Sequence, residues 1–135
     1  ILAVLQDGMI IDTILFALAN LVSDLPSSWT AMGMYIVQCL INYIVPSGSG
    51  QAALTMPIMS PLSDLVGVDR QTAVLAFQFG DGISNIFTPT SGYFMAALAA
   101  AGISWTKWVK WFWPLLLIHY ALGAIVVTIA HLFIF

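Results

Sequence analysis

Residues 45–51, Val45-Pro46-Ser47-Gly48-Ser49-Gly50-Gln51, separate two apolar runs, and their reading decides how the rest of the chain is arranged. Proline cannot continue a helix from the preceding turn, and two glycines two positions apart leave peptide groups uncovered by side chains. Hydrocarbon offers those groups no hydrogen bonds, so such a loop persists at membrane depth only when buried in protein or lining a wet cavity. The stretch therefore reads as a place where something polar binds.

The membrane setting follows from composition. The 135 residues are 61% hydrophobic and 7% charged, against roughly 25% charged in soluble domains. Six acidic and three basic residues give a formal net charge of −3, which argues neither for nucleic acid nor for an acidic partner. The chain opens at Ile1, with no initiator Met and no basic stretch ahead of a cleavage site, and reads as a fragment. Cys39 lies alone in an apolar run and reads as a small buried hydrophobe.

Working outward from the tip at 46–50, the arms are short. Trp29 to Val45 is uncharged and rises about 26 Å at 1.5 Å per residue, short of a hydrocarbon core of about 30 Å. Gln51 to Val66 is a second apolar arm, interrupted by Pro57 and Pro61. Two short arms around a small, uncharged tip predict a re-entrant helical hairpin over 28–66. Residues 67–70 form a charged loop in which Asp69 and Arg70 read as solvated. A long apolar run over 71–101 follows, interrupted at Gly80-Asp81-Gly82-Ile83-Ser84-Asn85 and at Thr88-Pro89-Thr90-Ser91-Gly92. That pattern predicts a discontinuous transmembrane helix, whose unwound carbonyls can hold cations and whose half-helix N-termini can hold anions. With its hydroxyls, one amide and the Asp81 carboxylate, the break has enough oxygen for a sodium-like ion. Asp81 reads alternatively as an acid near the surface, about 15 Å beyond Arg70 by helical rise, and Asn85 and Thr88 as helix caps.

Past the turn at Gly102-Ile103-Ser104, the residues Trp105, Lys107, Trp108, Lys110, Trp111 and Trp113 make an aromatic and basic belt of the kind found at membrane interfaces. Pro114 to Phe135 is a terminal transmembrane span, so 105–135 combines belt and span. The positive-inside rule places the belt in the cytoplasm and the hairpin entrance outside. His119 and His131 read as packing or interfacial residues. At the other end, 1–25 carries Asp7, Asp12 and Asp24 and predicts an amphipathic or interior helix rather than a lipid-facing span. No metal-ligand spacing, phosphate loop or Ser-His-Asp set is apparent, so no cofactor and no enzyme chemistry are expected.

Taken together, residues 46–57, Pro61, Phe79-Gly80-Asp81-Gly82-Ile83-Ser84-Asn85 and Thr88-Pro89-Thr90-Ser91-Gly92 closely resemble the C-terminal repeat of the YfcC family of bacterial carriers, related to the DcuC dicarboxylate carriers within the ion transporter superfamily. The p-aminobenzoyl-glutamate transporter family (AbgT) is similar at the same places. The divalent anion/sodium symporters share the plan, but with tips reading Ser-Asn-Thr where this chain has Ser47-Gly48-Ser49. The resemblance covers nearly the whole chain. It implies an all-α, multi-pass protein of a bacterial inner membrane, one inverted repeat of a carrier whose N-terminal repeat is absent here and which assembles as a homodimer.

Two functions of different class follow. The first is a secondary active transporter of amino acids, basic ones among them, or small carboxylates, working by antiport or by coupling to Na+ or H+. In it Ser47, Gly48, Ser49, Gly50 and Gln51 offer hydroxyls and bare peptide groups to a small-molecule substrate, and Asn85, Thr88, Thr90 and Ser91 complete the shell. Asp81, with Asn85 and Thr88, neutralises a coupling cation or a basic substrate. The alternative is a channel-like or structural membrane subunit whose re-entrant loop lines a passive pore or only packs between helices.

Overall fold

The computed structural model describes residues 27–134, together with Thr13, Ala17 and Asn20, which are helical. The expectation for 1–25, with its three aspartates, otherwise lies outside the described residues. Five helices follow: α1 (Ser27–Ile44), α2 (Gly48–Val66), α3 (Arg70–Ser84), α4 (Gly92–Ala100) and α5 (Trp105–Ile129), the last continuing into a π-helical turn over Ala130–Ile134. Among the described residues there is no strand, as expected of an all-α chain.

The turn between α1 and α2 is tighter than the glycines predicted. Pro46 disfavours helical geometry at Val45, and α1 stops at Ile44. Ser47 then adopts an extended conformation as the N-cap of α2, its Oγ accepting from the Gly50 N–H at 3.4 Å and its carbonyl from Gln51 N at 2.7 Å. Gly48, Ser49 and Gly50 therefore form the first turn of α2, and the tip expected over 46–50 contracts to residues 45–47. A serine cap outweighs the glycines because the first-turn N–H groups lack intrahelical partners in any case.

Pro57 and Pro61 do not interrupt α2 either. They lie one turn apart on the outer face with Ala53 and Leu65, all exposed, while Gln51, Thr55, Met59 and Ser63 form a buried stripe opposite. Each proline removes a bond to the carbonyl four residues back, so the Ala53 and Pro57 carbonyls are released on the exposed side and the packed side stays regular. Gly67 ends the helix at a φ of 74°, where its N–H caps the Ser63 carbonyl.

Asp69 caps α3 by accepting from Gln71 N at 2.7 Å. Arg70 turns back to pair in bidentate fashion with Asp64 at the end of α2, and its guanidinium holds that exposed carboxyl below the usual range. Along α3 a stripe of small residues, Thr72, Ala76, Gly80 and Ser84, is buried, the pattern that lets helices approach closely in membranes. Gly80 marks the closest point: a Cβ there would sit 2.6 Å from the Gln38 Cβ and 3.0 Å from the Cys39 backbone nitrogen. Cys39, on α1, is half-buried against the core rather than fully enclosed.

Helix α3 also runs further than expected. Gly80-Asp81-Gly82 stays helical through Ser84, because nothing in that stretch removes a backbone donor, and the break occupies residues 85–91. Its exposed peptide groups are paid for by α5: the Trp105 indole donates to the Phe87 carbonyl at 2.8 Å and the Trp108 indole to the Ile86 carbonyl at 3.1 Å. Two members of the tryptophan belt are thus turned inward onto the break. Trp111 and Trp113 remain 72% and 54% exposed, as interfacial residues would be.

Helix α5 absorbs Pro114 and begins at Trp105. From Trp105 to Ile134 it is the one helix among the described residues long and apolar enough to cross a membrane. It packs on α1 and α3 through Phe112, Leu116 and Val127, which join Met34, Tyr35, Ile41, Met59, Ala76 and Ile83 in the core. His119 stacks on Phe112 with its Nδ1 2.8 Å from the Leu115 carbonyl, the packing role its position predicts.

Two substitutions test this packing by thermal unfolding of the intact protein in detergent. Gly80→Val is expected to cost about 1–3 kcal/mol by forcing α3 off α1, whereas Gly82→Ala, with open space around it, is expected to be neutral or slightly stabilising. Trp108→Phe is expected to cost about 1–3 kcal/mol by stranding the Ile86 carbonyl, and Trp113→Phe close to nothing.

Candidate functional site

A buried polar cluster forms where α1 ends, α2 begins and α3 passes both. Its centre is Asp81 on α3. Asp81 Oδ1 accepts from Asn42 Nδ2 at 2.9 Å and from Asn85 Nδ2 at 2.8 Å, the latter amide also reaching the Asp81 carbonyl at 3.1 Å. Asn42 Nδ2 donates in addition to Gln51 Oε1 at 3.0 Å. Gln51 Nε2 in turn donates to the Gln38 carbonyl at 2.9 Å and to Gln38 Oε1 at 2.8 Å. Thr88 Oγ1 donates to the Ser84 carbonyl at 2.6 Å and lies 3.5 Å from Asn42 Oδ1.

The second carboxylate oxygen of Asp81 faces the start of α2. A Cβ on Gly48 would lie 3.0 Å from Asp81 Oδ2, so any side chain at 48 would crowd it. Negative charge beside the first turn of a helix is favoured by the orphan N–H groups there. In and beside the cluster, Gln38 Nε2, Asn85 Oδ1 and Ser91 Oγ are buried side-chain atoms with no hydrogen-bond partner, as are Thr55 Oγ1 and Thr72 Oγ1 elsewhere among the described residues.

The structure brings most of the sequence-predicted residues together and separates their duties. Gly48, Asp81, Asn85 and Thr88 share the cluster. Ser47 caps α2 and, like Ser49, is exposed; Gly50 is half-buried in the same first turn. Gln51 is fully buried with its amide engaged by Gln38 and Asn42, so it reaches Asp81 only through Asn42. Thr90 donates to the Tyr43 carbonyl at 2.9 Å, fastening the break to the end of α1. Ser91 is buried at the N-terminus of α4, without a side-chain cap bond.

Gln38 and Asn42 join the cluster without being among the residues that the sequence pattern singles out. Both are essentially inaccessible to solvent, and both lie inside a run that reads as merely uncharged. Their signal was present in the spacing: two amides four apart occupy one helix face, and burying an amide without a partner costs several kcal/mol, so a facing polar group was implied. A groove of about 610 Å³ opens elsewhere, between α3 and the end of α5, with a mostly apolar surface although Arg70, Gln71 and Gln78 stand among its lining residues. It suits a lipid chain or a neighbouring helix, not a polar solute.

Comparison with known proteins identifies the family. The family model described as C4-dicarboxylate anaerobic carrier, DcuC, matches residues 1–132. The chain is 46% identical over 126 residues, 93% of its length, to an Escherichia coli (strain K12) protein named "Putative basic amino acid antiporter YfcC". It is 38% identical over 126 residues, again 93% of its length, to a Haemophilus influenzae protein. It is 32% identical over 69 residues, 51% of its length and 15% of the relative's, to the E. coli protein named "Putative short-chain fatty acid transporter". The chain spans 25% of the length of the first two relatives. No solved structure matches it. With the family model covering nearly every residue, the chain belongs to the DcuC family of membrane carriers, which are transporters and not enzymes.

Proposed function

We propose that the chain forms one repeat of an inverted-repeat secondary active transporter, multi-pass in a bacterial inner membrane and homodimeric, that moves amino acids, basic ones among them, or small carboxylates by antiport or by coupling to Na+ or H+. The observation that carries this reading is the placement of Asp81 Oδ2 against the first turn of α2 at Gly48. Helix N–H groups attract a carboxylate and Asp81 attracts a cation. Side by side they suit a solute that carries both charges, or a carboxylate that enters with a cation.

In this reading α1 and α2 are the arms of a re-entrant hairpin with residues 45–47 as its tip. Helix α3, residues 85–91 and α4 make the discontinuous span, and α5 is the terminal one. Ser47, Gly48, Ser49 and Gly50 meet the solute. Asn85, Thr88, Thr90 and Ser91 lie along the break and complete the shell, with Asp81, Asn85 and Thr88 serving the coupling ion. Gln51, bonded to Asn42, lies one step back from Asp81. The name of the E. coli relative favours basic amino acids, and the family description favours dicarboxylates.

Reconstitution of the intact protein into liposomes tests this, with labelled arginine, ornithine and a C4-dicarboxylate offered against unlabelled solute. Saturable counterflow of one of them is expected. Gly48→Leu should lower it by about fivefold or more, because the added side chain meets the Asp81 carboxylate and overpacking of about 1–3 kcal/mol falls on the binding turn. Asp81→Asn should abolish its dependence on the coupling ion. Flux that never saturates and shows no counterflow would replace the carrier with a passive pore.

A further inference from the structure

Asn42 occupies an unusual position in the cluster. One nitrogen, Nδ2, supplies both of its hydrogens at once, to Asp81 Oδ1 on α3 at 2.9 Å and to Gln51 Oε1 on α2 at 3.0 Å. Asn42 is fully buried, and the helix that bears it is held to α3 at Gly80, which packs directly on the Gln38 Cβ and the backbone at Gln38 and Cys39. Rotating the Asn42 amide away from Asp81 therefore also withdraws its donor from Gln51. The force holding that amide in place is its bond to a carboxylate, which is about twice as strong as a bond to a neutral acceptor.

We propose that Asn42 is a positioning residue that makes the start of α2 responsive to the charge on Asp81. The inference rests on the transport reading for its purpose, but not for its geometry. While Asp81 is ionised and free, its charge orients the Asn42 amide, and Asn42 holds Gln51 and with it the first turns of α2. Neutralising the carboxylate, by a bound cation or a proton, weakens that hold. Asn42 then turns, Gln51 Oε1 loses its donor, and the serine and glycine turn of α2 loosens from α3. A rival route exists in the same structure, because Asp81 Oδ2 also faces Gly48 directly and could act on α2 without any intermediary.

The two routes separate in a double-mutant cycle that needs no transported solute. The readout is the rate at which a membrane-impermeant thiol reagent labels Ser49→Cys in the intact protein with Cys39→Ser. Asp81→Asn preserves the shape of the side chain and removes its charge, and is expected to raise the labelling rate about five- to tenfold. In an Asn42→Leu background the rate should already be raised, and Asp81→Asn should change it by less than about twofold. Gln51→Leu cuts the same link at its other end and leaves both donors on Asp81 intact. It should give the same result, and decides the matter if Asn42→Leu does not yield a monodisperse protein. An equal effect of Asp81→Asn in all backgrounds would overturn the proposal in favour of direct action on Gly48, and no effect in any background would overturn it outright. Absence of counterflow would defeat the carrier reading alone, since labelling reports the linkage independently.

Discussion

The close approach of α3 to α1 at Gly80 is the contact on which the rest of the arrangement depends. With hydrogen in place of a side chain, the backbone of α3 comes against Gln38 and Cys39, and the next residue, Asp81, is thereby brought within hydrogen-bond reach of Asn42, one turn along α1. From that register the whole polar cluster follows. Gln51 at the start of α2 closes on Gln38 and Asn42, and Asn85 and Thr88 close the other side. A buried amide left without a partner would cost about 1–3 kcal/mol. Asn42 and Gln51 avoid that cost by each bonding two neighbours, while Gln38 Nε2 and Asn85 Oδ1 at the two ends of the cluster have no partner.

Much of this was legible in the sequence, and the misreadings share a cause. The order of elements, the short arms on either side of Pro46 and the interruption after Asp81 all follow from where proline, serine and asparagine fall. The extents differ from the sequence reading because that reading treats glycine as a breaker. Gly48 and Gly50 are accommodated in a capped first turn, and Gly80 and Gly82 sit within an intact helix, since glycine weakens a helix by only about 1 kcal/mol and removes no donor. The prolines of α2 misled for a related reason: the bonds they delete lie on the outer face, where packing does not depend on them.

Gln38 and Asn42 show a different limit. A run without charges looks apolar on average, but two amides one turn apart define a face, and only the partner helix reveals what that face is for. The tryptophans teach the converse. Trp105 and Trp108 carry the composition of an interfacial belt, yet their indole N–H groups serve the Phe87 and Ile86 carbonyls. Unwound backbone in a nonaqueous setting must find donors, and here a later helix in the chain supplies them.

The two ways in which neighbours are attached to α3 differ in kind. Helix α1 is attached by backbone against backbone at Gly80, a contact of dispersion and shape for which neither water nor an ion is a substitute. The beginning of α2 is attached through α1, by the Gln51 amide bonded to Gln38 and Asn42 and by Asn42 bonded in turn to Asp81, and hydrogen bonds of this kind can be exchanged for bonds to water, to an ion or to a polar solute at little net cost. The same chain therefore contains a permanent seam and a replaceable one, side by side and only a helical turn apart. Only the second presents groups that a polar solute could engage, and the first fixes the register in which those groups are presented.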